Sequence, residues 1–301
     1  MLRIFLLGSF RAEMNDHILS GFRYAKVRAL LAYLVMYANK PISRCRLAGM
    51  LWPDVPDQIA RGNLRNAVFY LRKALGQIKP WHDEIPRFLQ ADRSTIWFTS
   101  SDDFKLDVAD YEKYLSDSEE GRKFADRQQM ILKLEEAIAL YGGNFMEDIY
   151  IDSTIFEEWI DLERDRLQQQ LITALYELAN LHEEIGEYQK AQHYARLQLE
   201  IEPYRECAHQ QLIRILFHCG QRGASLAQFH LCQKALAMEF GVAPNEETLA
   251  LYNRVANGSS QKKTAEQAVR WTQPLEGAAI HATDKGALLP HYTPNNPDPA
   301  G

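Results

Sequence analysis

Within the first hundred residues, apolar and polar positions alternate, then recur at helical spacing, then alternate again. That succession predicts a small mixed domain. Residues 2–9, LRIFLLGS, are apolar and β-prone. Two further extended pieces are expected around 10–14 and 17–20, with Asn15-Asp16 as the turn between them. From Tyr24 to Ala38, the residues Val27, Leu30, Leu31, Leu34 and Val35 form the stripe of an amphipathic helix, which Asn39-Lys40-Pro41 stops. Ser43 stands where it could cap a short second helix with the stripe Leu47, Met50 and Leu51, closed by Trp52-Pro53. A third helix is expected from about Asp57 to Leu75, with Gly76 as its stop. Residues 86–100, PRFLQADRSTIWFTS, alternate on both sides of Ala91-Asp92-Arg93-Ser94, which is the pattern of a hairpin. Sheet, three helices and hairpin, in that order and with a short middle helix, describe a winged helix-turn-helix.

From Asp107 to about Val255 the pattern is almost wholly helical and repeats itself. A shift of 34 residues superimposes Ala174 on Ala208, Leu178 on Leu212, Leu181 on Ile215, Gly186 on Gly220 and Leu197 on Leu231. That period, with glycine in the turn, marks helix-turn-helix repeats of the tetratricopeptide type. Helices over 124–141 and 155–182 would extend the array. After Asn257 the periodicity ends among Gly, Ser, Pro and Asn. The expected chain is therefore mainly α: a winged helix-turn-helix with a small β-sheet and wing over 1–106, an all-α tetratricopeptide-like domain over 107–256, and a disordered tail or linker over 257–301.

Charge sharpens this division. The chain of 301 residues carries a net −6, but residues 1–106 hold 16 Lys and Arg against 9 Asp and Glu, a net +7, and the remainder holds 18 against 31, a net −13. A basic front and an acidic back direct only the front toward a polyanion. No apolar run reaches the length of a membrane span, and the opening stretch turns polar too soon for a secretory signal. A cytoplasmic location and no membrane partner are expected. Cys45, Cys207, Cys219 and Cys232 are isolated and read as buried thiols.

The third helix concentrates the candidate chemistry. Its core face is Leu64, Ala67, Val68, Leu71, Ala74 and Leu75; its opposite face carries Arg61, Arg65, Asn66, Phe69, Arg72 and Lys73. A solvated helix face normally mixes both signs, because opposite charges four residues apart support it. A face with four cations and no acid suits phosphates and base edges instead: Arg reads guanine, Asn reads adenine and Lys pairs with phosphate. Phe69 would be covered either by a thymine methyl group or by the wing. Further cations that could touch the DNA backbone and set register are Arg23, Lys26 and Arg28 at the first helix, Arg44 and Arg46 at the second, and Arg87 and Arg93 beside or at the tip of the wing.

The chain has no phosphate-binding G-x-x-x-x-G-K-[ST] loop, no G-x-S-x-G elbow and no H-E-x-x-H pair. The acidic pairs Glu119-Glu120, Glu135-Glu136, Glu157-Glu158 and Glu183-Glu184 read as solvated helix faces. No enzyme, catalytic residue, metal or cofactor is expected.

The segments LRIFLLGSF, KVRALLAYL, SRCRLAGMLWPD and ARGNLRNAVFYLRKALG, followed by DVADYEKYL, YGGNFMEDI, EEWIDLERDRL and FGVAPNEETLALY, occur here in order over residues 1–255. Together they resemble the antibiotic-regulatory-type (SARP-like) activators, which join an OmpR-like winged helix to a bacterial transcriptional activation domain. The resemblance implies a transcriptional regulator of double-stranded DNA that binds direct repeats as side-by-side protomers and contacts RNA polymerase. One departure stands out: where the family often has cations late in the third helix, this chain has Phe69-Tyr70. A second reading makes the helical repeats a sensor for a peptide or small molecule, with DNA binding as its output.

Overall fold

The computed structural model describes residues 1–76, 88–123 and 126–258. Arg87 and nearly all of the expected tail lie outside the described residues. In chain order the elements are β1 (Leu2–Phe5), β2 (Arg11–Met14), β3 (His17–Ile18), α1 (Ala25–Met36), β4 (Ile42–Ser43), α2 (Arg44–Leu51), α3 (Asp57–Leu75), β5 (Leu89–Ala91), β6 (Thr95–Phe98) and β7 (Phe104–Leu106). The helices α4 (Asp107–Lys123), α5 (Arg127–Leu140), α6 (Thr154–Glu184), α7 (Tyr188–Ile201), α8 (Glu206–His218), α9 (Arg222–Phe240) and α10 (Glu246–Ala256) follow.

The expected front is present, with additions. β1, β2 and β3 form an antiparallel meander, with β7 added parallel to β1, giving the order β3-β2-β1-β7. Asn15 and Asp16 both take positive φ, as a tight two-residue hairpin turn requires. The wing is β5 paired with β6, Leu89 opposite Phe98, and β4 joins its other side with Ile42 opposite Ile96. Ser43 therefore serves as a strand residue ahead of α2, and its side chain makes no capping bond. Inside the fold, α1 buries Val27, Leu30, Leu31, Leu34 and Val35, and α3 buries Leu64, Ala67, Val68, Leu71, Ala74 and Leu75.

The chain divides into two compact units. One comprises Met1–Ala125 with Glu135–Leu171; the other comprises Asp126–Leu134 and the chain from Ile172 onward. In the first unit, residues 135–171 return to the winged helix and bind it by specific contacts. Asp148 accepts the Phe10 amide at 2.8 Å, the Trp159 indole donates to the Tyr37 hydroxyl at 3.3 Å, and the Trp159 ring meets Tyr33 edge-on at 5.0 Å. Ser153 donates its hydroxyl to the Met50 carbonyl, and Arg164 donates to the carbonyls of Phe145 and Met146, both at 3.0 Å. Asp107 is buried at the start of α4, where its carboxylate accepts the Leu6, Leu7 and Val108 amides.

In the second unit the repeat is visible in the backbone. Gly186 and Gly220, one period apart, both take positive φ at the interhelical turns. Ala174, Leu178 and Leu181 are buried, as are their counterparts Ala208, Leu212 and Ile215. Leu197 and Leu231 depart from the pattern: Leu231 is 56% exposed, and the buried repeat in α7 and α9 consists instead of Ala191 with Ser225, Ala195 with Phe229, and Gln198 with Cys232. A polar chain runs through this unit, from Gln198 to Gln211 to Asn180, with Arg214 bonded to both Asn180 and Glu183.

Candidate nucleic-acid interface

The helix-turn-helix is built so that one side of α3 must face outward. Its buried stripe packs on α1 and α2, and at about 3.6 residues per turn Gly62 and Phe69 fall on the line opposite that stripe. Arg61, Arg65, Asn66, Phe69, Arg72 and Lys73 are all exposed, so the structure brings the six α3 candidates onto one outward surface. Among the described residues, Arg65, Asn66, Arg72 and Lys73 make no side-chain hydrogen bond or ion pair. Arg61 is partly engaged: it lies 3.7 Å from Asp57 and 3.0 Å from the sulfur of Cys45. Cys45 is therefore exposed beside the candidate surface, unlike the buried thiol expected of it, whereas Cys232 is buried.

The other candidates separate into two groups. Arg23 is exposed at the approach to α1, and Arg93 is exposed at the tip of the wing. Arg46 is exposed and hydrogen-bonds the Tyr33 hydroxyl. Lys26, Arg28 and Arg44 hold the fold together. The Lys26 ammonium donates to the Leu51 carbonyl at 2.7 Å, capping the end of α2, and burial lowers its pKa. Arg28 pairs with Asp148 at 2.8 Å. Arg44 donates to the Asp92 carbonyl at 3.0 Å and so ties the start of α2 to the wing turn.

That turn is rigid for an identifiable reason. The Asp92 carboxylate accepts the amides of Thr95 at 2.6 Å and Ser94 at 2.7 Å, and these bonds to its charged form hold its pKa down at about 2. These bonds and the one from Arg44 hold the backbone that carries Arg93.

Sequence reasoning named Phe69 but missed the aromatic contacts around it. Phe69 is 62% exposed, and its ring meets Tyr70 at 5.6 Å. Tyr70 in turn meets Tyr24 at 5.1 Å. The exposed Tyr-Phe pair was readable in the sequence, but Tyr24, some 46 positions earlier, carried no local signal. Among the described residues, no cluster of His, Cys, Asp and Glu is placed to hold a metal ion, and no helix is long and apolar enough to cross a membrane.

A winged helix-turn-helix with an outward cationic helix, followed by helical repeats, has the architecture of a SARP-like transcriptional activator. Residues 106–256 match the bacterial transcriptional activator domain, and the chain belongs to that family of transcriptional regulators. It is 23% identical over 283 residues to the regulatory protein AfsR of Streptomyces griseus, matching 94% of this chain but only 27% of the length of AfsR. Among solved structures it resembles Mycobacterium tuberculosis EmbR in complex with a low-affinity phosphopeptide. The TM-score is 0.73 at 21% identity, over 86% of this chain and 66% of the other. At that identity, the likeness establishes the fold.

Proposed function

We propose that this chain is a cytoplasmic, sequence-specific DNA-binding activator of transcription, with no catalytic activity of its own. In this reading α3 lies in a major groove, with Arg65 and Asn66 at base edges and Arg72 and Lys73 near the phosphates. The wing carries Arg93 over the neighbouring minor groove, and Arg23, Arg46 and Arg61 add backbone contacts. Lys26, Arg28 and Arg44 act indirectly, by fixing the helices and the wing. The helical repeats offer surface to RNA polymerase and to a second protomer seated on the adjoining direct repeat.

The outward face of α3 carries this reading. Four exposed cations line it, and three of them have no partner among the described residues. Free, unpaired cations on one helix face are what a phosphate backbone neutralises on binding. The test is a titration of the full chain against duplex DNA over a range of potassium chloride concentrations. Each neutralised phosphate adds about 0.9 to the log–log slope, so a slope steeper than about −4 is expected. A flat plot contradicts the reading.

A further inference from the structure

Phe69 occupies the most outward line of α3, two turns beyond Gly62. Phe69 is 62% exposed on a helix whose own stripe is already buried, so its ring adds little to the core, and with Tyr70 and Tyr24 it forms an exposed apolar patch. It is not loose on the surface. Tyr70 packs against its ring in a T-shaped pair, and Tyr24, from the approach to α1, packs against Tyr70, so an aromatic brace restricts where the ring can point. Around it stand Arg65, Asn66, Arg72 and Lys73, all exposed. Phe and Arg are both common in protein interfaces, but a ring set among three cations and no acid faces a polyanion more readily. It fits a major groove, where the phosphates take the cations and one base feature is apolar: the 5-methyl group of thymine.

We infer that Phe69 is a specificity-determining residue that reads thymine methyl groups, and that Tyr70 and Tyr24 are positioning residues that hold it. The inference rests on the DNA-binding reading above and adds to it the feature recognised.

The experiment uses the full chain and a duplex selected by it from random DNA. Each thymine of that duplex is replaced in turn by uracil, which removes the methyl and leaves the hydrogen-bonding edge intact. Burying one such carbon is worth about a fourfold change in affinity, so uracil at one or two positions should weaken the wild type about fourfold each. Phe69→Ala should bind the thymine duplex more weakly, keep its thermal melt, and be indifferent to uracil at those positions. Tyr70→Ala should retain binding with a reduced uracil effect, a change that mere loss of stability would not produce. Equal uracil losses in wild type and Phe69→Ala overturn the inference, as does a wild type indifferent to every uracil. Phe69→Ala that binds DNA normally but fails to activate transcription overturns it in favour of a protein contact. If no duplex can be selected, the DNA-binding reading itself falls, an outcome distinct from selection followed by uracil indifference.

Discussion

Replacing Gly62 by alanine should move stability and DNA affinity in opposite directions. Gly62 lies inside α3 in ordinary helical backbone, and a Cβ built there meets nothing within 4 Å. Glycine within a helix costs about 0.5–1 kcal/mol relative to alanine, because it surrenders more backbone freedom on folding. With open space around the new methyl, Gly62→Ala should recover most of that. For a compact unit of this size the melting temperature should rise by about 1–4 °C. In the free chain, therefore, no contact accounts for the glycine. If the outward line of α3 presses into a groove, the methyl is forced into a tight contact. Overpacking of that kind costs about 1–3 kcal/mol, equivalent to a loss of about 5- to 150-fold in affinity. Calorimetry of the free variant and anisotropy titration on a selected duplex measure the two effects separately. A higher melting temperature with unchanged affinity would refute the placement of this end of α3 in the groove. A lower melting temperature would refute the helix argument itself.

Arg65→Ala and Asn66→Ala should each cost about 1–3 kcal/mol on the best duplex and less on random DNA; equal losses on both would make the residue a backbone contact. Trp159→Ala should destabilise the first unit by about 2–3 kcal/mol, because the half-buried ring packs on Tyr33 and Phe145 and bonds Tyr37; a melt within a degree of wild type would contradict that role. Burial pushes the Asp107 carboxyl up to about 6, against the pull of the three amides it accepts. The folded chain thus holds this proton more tightly than the unfolded chain. The group's contribution is full below about pH 4 and is lost as pH rises through about 6. A pH series of denaturant midpoints should show that loss in the wild type and not in Asp107→Asn, and identical profiles would refute it.

The first unit was largely legible where periodicity was local. The α1 stripe from Val27 to Val35 and the α3 stripe from Leu64 to Leu75 are both buried as expected, and the Asn15-Asp16 pair forms the turn. Two of the short strands left no such trace. β4 and β7 exist only because Ile42 finds Ile96 and Phe104 finds Leu2, pairings that no short window contains. The same distance hides the roles of Lys26 and Arg28. Their partners stand on the Leu51 carbonyl and on Asp148, so in sequence they look like any other helix-start cations. Cys45 looked like a small apolar filler until α3 placed Arg61 beside it. In the repeats, the glycine turns and helix cores followed the 34-residue period. Leu231 did not, because its face of α9 has no described helix to cover it, and Cys232 took the buried position.

The central claim is that α3 reads DNA sequence. It is tested most directly by the ratio of the full chain's affinity for its best selected duplex to that for random duplex, at physiological salt. A specific regulator holds that ratio at about a thousandfold or more, and Arg65→Ala combined with Asn66→Ala should collapse it while leaving the random-DNA affinity nearly unchanged. A wild-type ratio near one, or a ratio untouched by the double substitution, would contradict the claim.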